Sequence, residues 1–192
     1  MTRYIIGSDE VGYGAWAGPL FVCAAAVPKD WKGPAGLTDS KELSPEERLS
    51  LYAAALQQLP MCVMATDNVT IDEIGVMKAL IEAHTRAIQV MLLQFPDAEV
   101  IIDGVIRLPE IPQAQPIPKA DAKYPVVSAA SVIAKVNRDF VMKQLHTQYP
   151  HYGFDTGVGY GTKQHQRGLK EHGITPWHRK SYAPIKKLLE KK

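Results

Sequence analysis

Two short apolar runs in this chain each end on acids and glycine, and that pattern constrains the fold more than any other feature. Tyr4-Ile5-Ile6-Gly7-Ser8 leads into Asp9 and Glu10 and then Val11-Gly12-Tyr13-Gly14, while Val100-Ile101-Ile102 leads into Asp103 and Gly104. Such runs, isoleucine-rich and closed by glycine, read as buried strands giving way to turns. A third segment, Val126 to Gln148, reads as a helix. It carries Ser128, Ser131, Lys135 and Asp139 at steps of three, four and four, along one stripe of an otherwise apolar surface. Two strand ends and one helix seam can gather Asp9, Glu10, Asp103 and Asp139. Close carboxylates repel one another unless protons or cations intervene.

Mg²⁺ suits such a group, because it takes oxygen ligands and is commonly held by a few carboxylates plus substrate phosphate. Two such ions roughly 3.5–4 Å apart would activate a water and stabilise the leaving oxygen in phosphodiester cleavage. Any one of these acids alone reads as a solvated turn residue. Strand alternation also sends Asp9 and Glu10 to opposite faces. Sharing one metal centre therefore requires a twist or break near Glu10, which the following glycines would permit.

Gly7-Ser8-Asp9-Glu10-Val11-Gly12-Tyr13-Gly14-Ala15-Trp16-Ala17-Gly18-Pro19 resembles the signature of type 2 ribonucleases H, ribonuclease HII. Later segments agree in order: Asp39-Ser40-Lys41-Glu42-Leu43, Ile102-Asp103-Gly104, Lys119-Ala120-Asp121, Ser128 through Asp139, Gly159-Tyr160-Gly161-Thr162 and His178-Arg179-Lys180-Ser181-Tyr182. The resemblance implies an α/β ribonuclease H-like fold, with a five-stranded mixed sheet, flanking helices and a C-terminal helical lobe. It implies endonucleolytic cleavage of the RNA strand in RNA/DNA hybrids and at ribonucleotides embedded in DNA. It also implies that Asp9, Glu10, Asp103 and Asp139 are catalytic metal ligands for Mg²⁺ or Mn²⁺. Asp9 would bridge two ions, and cleavage would leave 3′-hydroxyl and 5′-phosphate ends.

By the same resemblance, the Gly12-Tyr13-Gly14 loop contacts the ribose 2′-hydroxyl and Tyr160 packs on the sugar beside it. Only RNA offers that hydroxyl. Lys41, Lys119 and Lys135 are candidate phosphate contacts, Lys135 alternatively a residue that orients a catalytic carboxylate. The chain departs from the family at Tyr13, which is ordinarily basic. Hybrid cleavage is therefore expected to be more secure than incision at a single ribonucleotide. Ala120, where glycine is usual, is a milder departure, harmless unless that backbone needs positive φ.

Charge is distributed unevenly. Residues 161–192 hold nine Lys or Arg against two acids, so this stretch is +7 in a chain of net +2. A basic surface beside an acidic core suits a polyanionic substrate. The six histidines and isolated Cys23 and Cys62 show no zinc-module spacing. Cys23 is expected to be a buried thiol, and His84 a core or boundary residue. With no leader or membrane-spanning run, the chain is expected to be cytoplasmic and sufficient as a monomer; sequence names no sliding-clamp partner. At 192 residues and 46% hydrophobic content it reads as one catalytic domain, residues 1–192, with a basic helical region near 161–192. Without an added amino-terminal domain it resembles type 2 more than type 3.

Strands are predicted near 3–10, 19–27, 61–67, 99–103 and 115–118. Ser44-Pro45-Glu46-Glu47 predicts a capped helix through about Gln58, and Thr70-Ile71-Asp72-Glu73 a second cap before the stripe from Met77 to Met91. Pro109 to Pro118 reads as a loop or edge strand. Two other functions compete. A non-catalytic hybrid-binding module would have lost an acid, and a hybrid-only nuclease of the same superfamily would account for Tyr13. A phosphatase would need Asp-x-Asp after its first strand, and Asp9-Glu10-Val11 does not supply it.

Overall fold

The computed structural model describes residues 3–37, 43–54 and 56–190. Lys41 therefore lies outside the described residues. Strands β1 (Tyr4–Val11), β2 (Leu20–Pro28), β3 (Met61–Thr66), β4 (Glu99–Asp103) and β5 (Gln115–Ile117) form one sheet in the order β3-β2-β1-β4-β5. β1 pairs antiparallel with β2 and β2 with β3, whereas β1, β4 and β5 run parallel. This is the five-stranded mixed sheet expected. Pro116 faces Ile102 from β5, the outer strand, where its missing N–H costs no interior ladder bond.

Helix α3 (Val76–Gln94) covers one face of the sheet, setting Leu80, Ala83, Ala87, Ile88 and Met91 against Ile6, Leu20, Val22, Val100 and Ile102. The other face belongs to α4 (Pro125–Gln148), whose Val126, Val127, Ala129, Ala130 and Ile133 are all buried. Proline at its first turn suits the helix start, where its N–H has no partner to lose. α4 approaches β1 at backbone distance. A Cβ on Gly7 would lie 2.7 Å from the Val127 amide nitrogen, so glycine there is a packing requirement.

Local signals held for one helix and shifted for another. Ser44 Oγ accepts from the Glu47 amide and the Glu47 carboxylate accepts from the Ser44 amide, at 3.2 and 2.7 Å, closing the predicted capping box of α1 (Pro45–Ala54). α1 stops short of Gln58 and yields to a 3₁₀ turn, Leu56–Gln58, that buries Leu56 against the α4 face. The cap predicted at Thr70 lies instead at Asp67, whose carboxylate accepts from the Thr70 amide at 2.7 Å. Helix α2 (Asn68–Ile74) starts there and ends at Gly75, whose φ of 83° breaks the chain into α3.

After α4 come α5 (Lys163–His172) and α6 (Ala183–Leu189). Leu169, Ile185, Tyr152 and Phe154 pack with Ala17, Met142 and Leu145, so this region closes on the far end of α4 and on the loop after β1. Lys163, Arg167, Lys170, Lys180, Lys186 and Lys187 are exposed, but Arg179 is fully buried and leaves the basic surface. Among the described residues no helix is long and apolar enough to cross a membrane.

Candidate active site

Because β1 and β4 are parallel and Ser8 pairs with Ile102, the next residues, Asp9 and Asp103, emerge at the same end of the sheet. β5 runs parallel beyond β4 and ends at Ile117; the turn after it delivers Asp121. Asp9, Asp103 and Asp121 offer oxygens that all lie within 4.8 Å of one another. Each is oriented by backbone. Asp9 accepts from the Glu10 amide at 2.7 Å, Asp103 from the Ala120 amide at 2.7 Å and Asp121 from the Ala122 amide at 2.9 Å. Ser131 on α4 also hydrogen-bonds Asp9.

Asp9 is 6% exposed. Burial first, then the neighbouring Glu10 and Asp103 charges, push its carboxyl up to about 8. A buried acid driven toward its protonated form by other acids is what a cation-binding site looks like before the cation neutralises it. The oxygen-only donor set fits a hard divalent ion.

Glu10 does not join this group. β1 pairs with β2 without interruption through Val11, so the break anticipated near Glu10 is absent and alternation holds. The Glu10 carboxylate lies 3.3 Å from His84 Nε2 on the α3 face, and His84 Nδ1 lies 2.8 Å from Ser8 Oγ. His84 is the buried core residue expected. Asp139 also stands outside the group. It accepts from Lys135 Nζ at 2.7 Å and opens onto a cleft of about 200 Å³ with Pro45, Arg48, Leu49 and Lys143. The helix seam brings Ser131 to Asp9, and it is Asp121, not Asp139, that clusters with Asp9 and Asp103.

The loop from Gly12 to Pro19 rests on two fully buried arginines. Arg138 donates from Nε to Pro19 O (2.8 Å), from Nη1 to Val158 O (2.8 Å) and from Nη2 to Ala17 O (3.3 Å). Arg179 donates to Gly18 O (3.0 Å), Tyr13 O (2.9 Å) and the Tyr182 hydroxyl, which itself donates to Tyr13 O. Burial lowers the Arg138 guanidinium to about 10, still a cation at neutral pH. Gly12 has φ +90°, and a Cβ there would meet Arg138 Nε at 2.2 Å. Both the turn and the close approach require glycine.

In a trans peptide, C=O and the following N–H point opposite ways. With Tyr13 O drawn inward by Arg179, the Gly14 N–H faces away from the buried arginines. A Cβ on Gly14 would lie 3.8 Å from the ring of Tyr160, which is 39% exposed with the Arg138 guanidinium 5.8 Å from its centroid. Gly14 and Tyr160, which the resemblance places on one ribose, are neighbours in the fold. Tyr13 exposes its side chain. Lys119 is exposed beside Asp103's partner Ala120, at φ 57°. The positive φ falls on Lys119, so the methyl of Ala120 causes no strain.

A family model described as Ribonuclease HII matches residues 6–185. Ribonuclease HII of Ligilactobacillus salivarius is 42% identical over 190 residues, 98% of this chain and 73% of that one. The fold is similar to Archaeoglobus fulgidus RNase HII, solved as a complex with PCNA, at TM-score 0.75 and 29% identity over 91% of this chain and 92% of that one. It is also similar to Pyrococcus horikoshii ribonuclease H2, at TM-score 0.68 and 25% identity over 98% of each chain. The ribonuclease H-like fold expected from sequence is therefore established, and with the match extending across nearly the whole chain, this protein belongs to the ribonuclease HII family.

Proposed function

We propose that this chain cleaves the RNA strand of RNA/DNA hybrids, and DNA duplexes at embedded ribonucleotides, by metal-dependent phosphodiester hydrolysis that leaves 3′-hydroxyl and 5′-phosphate ends. The observation that carries the reading is the convergence of Asp9, Asp103 and Asp121 within 4.8 Å, at the sheet end where β1 passes into the Gly12–Pro19 loop. Asp9, Asp103 and Asp121 would hold divalent cations, Mg²⁺ or Mn²⁺, with Glu10 supplying further negative charge from the next position. When bound, such ions supply Lewis acidity to the phosphate and an activated water. The chain's own groups select the strand. The outward Gly14 N–H can donate to a ribose 2′-hydroxyl, and the exposed Tyr160 ring offers a face for the adjoining sugar. Lys119 and the exposed basic side chains of α5 and α6 can track phosphates.

The test is cleavage of end-labelled duplexes, one a full RNA/DNA hybrid and one DNA with a single ribonucleotide, in Mg²⁺, Mn²⁺ and EDTA. Cutting of both, lost in EDTA, is the expected result. Cutting of neither overturns the reading in favour of a binding module.

A narrower reading, a hybrid-only nuclease, rests on Tyr13. The loop's path is set by bonds to the Tyr13 carbonyl, which any side chain would leave in place. Tyr13 therefore preserves the amide geometry and removes only a cation. Tyr13→Arg is expected to raise single-ribonucleotide incision relative to hybrid cleavage by about fivefold, the worth of roughly 1 kcal/mol. The ratio of kcat/KM values on the two duplexes checks it, and an unchanged ratio would show that the side chain does not discriminate.

A further inference from the structure

His165 and His178 are buried 2.9 Å apart, Nε2 to Nε2, in an aromatic box made by Trp16, Tyr152 and Phe154. Hydrogen-bond partners at both ends of the pair fix where the protons are. The Thr175 amide and hydroxyl both lie against His178 Nδ1, at 2.8 and 2.9 Å; the amide can only donate, so that nitrogen carries a lone pair and the neutral ring bears its proton on Nε2. That proton can go only to His165 Nε2, which must then be the acceptor. His165 consequently bears its proton on Nδ1. From the other end, the Tyr160 carbonyl, 2.9 Å from His165 Nδ1, can only accept and demands the same proton. A single orientation of hydrogen bonds satisfies the whole line, from Thr175 through His178 and His165 to the backbone of Tyr160.

An added proton would set two N–H groups against each other, at Thr175 or between the rings. Burial already lowers both imidazoles, His178 to about 4. Both therefore remain neutral at neutral pH.

The line joins the two loops assigned to the ribose. His178 forms an antiparallel bridge with Ala17, and the Arg179 amide donates to Trp16 O at 2.8 Å, so His178 travels with the Gly12–Pro19 loop. His165 sits in the first turn of α5 and holds the carbonyl of the tyrosine that stands beside Gly14. Direct bonds from Trp16 and Ala17 to Gly159 O already tie the loops one residue earlier. The histidine line adds a fixed attachment at Tyr160 itself.

We propose that the His165–His178 pair is a positioning device that sets Tyr160 against the Gly12–Gly14 loop and so contributes to recognition of the ribonucleotide, an inference that rests on the function proposed above. Neither imidazole touches substrate; both act through Tyr160. His165→Phe keeps a ring in the aromatic box and removes both hydrogen bonds. His165→Asn retains an amide donor near the Nδ1 position.

The test is a double-mutant cycle between His165→Phe and Tyr160→Ala, read as kcat and KM for single-ribonucleotide incision, with thermal unfolding and ¹⁵N imidazole spectra of the same proteins. His165→Phe should lower kcat/KM about tenfold in the wild-type background and less than about twofold once Tyr160 is gone. His165→Asn should recover part of the loss. The spectra should show Nδ1–H on His165 and Nε2–H on His178. Equal losses with and without Tyr160 overturn the inference and leave a merely structural pair, as do the opposite tautomers. A wild-type protein that cuts neither duplex overturns the functional reading as well, so the two failures are distinguishable.

Discussion

Asp9→Asn will cost at least ~10³-fold in cleavage, because a ligand for charge at the reacting phosphate is worth several kcal/mol in the transition state. The same change will make the metal-free protein more stable at pH 8. The sign follows from the raised carboxyl, about 8 in the fold against 3.8 as its ordinary value. Between those values the folded state holds a proton that the unfolded chain releases, so wild-type stability falls as pH rises from about 4 to 8. Asparagine keeps the shape and the acceptor for the Glu10 amide but does not titrate. In EDTA the variant should therefore unfold later than wild type at pH 8, by about 2–5 kcal/mol, with the gap closing toward pH 4. Asp103→Asn and Asp121→Asn should share the loss of cleavage. Asp139→Asn, whose carboxylate is engaged by Lys135, should lose much less. Near-normal turnover of Asp9→Asn in Mg²⁺, or a gap that does not shrink with acid, would sink the assignment.

The contrast between Asp121 and Asp139 shows where the sequence was legible. Strands declared themselves through β-branched runs stopped by glycine, and β1 and β4 were placed correctly with their terminal acids. The same logic extends to β5, which runs parallel to β4 and must end on the same sheet edge, shortly before Asp121. Asp139 shares the helical phase of Ser131. Steps of three and four fix which way a side chain points, not how far along the axis it lies. From Ser131, which bonds Asp9, eight further residues carry Asp139 about 12 Å down the helix. Similarly, Thr70 has the residues of a cap, but Asp67 precedes it and takes the helix start. The least legible feature was the burial of Arg138 and Arg179. Arginine in a basic region reads as surface, and nothing local in sequence reveals that a glycine-rich loop far away has inward carbonyls needing donors.

Arg138→Met should destabilise the protein by roughly 3 kcal/mol even though it removes a buried charge. Three terms compete. The guanidinium now satisfies the carbonyls of Pro19, Val158 and Ala17; each carbonyl left buried without a donor costs about 1–3 kcal/mol. Against this, methionine escapes the desolvation that lowers the arginine to about 10, a relief of a few kcal/mol at about 1.36 kcal/mol per unit. Methionine also fills the space with flexible apolar atoms, so the cavity penalty is small. Orphaned carbonyls win because there are three of them and only one charge. Arg138→Lys distinguishes geometry from charge, since ammonium keeps the cation but lacks the planar fork that reaches separate carbonyls; it should recover less than half of the loss. Denaturant unfolding of both variants measures the difference. A methionine variant as stable as wild type, or a lysine variant that restores it fully, would show that the loop does not depend on the fork. Where the fork is lost, cleavage should fall further than stability alone dictates, because the loop that presents the Gly14 N–H would lose its anchor at Ala17 and Pro19 and keep only the Arg179 hold at Tyr13.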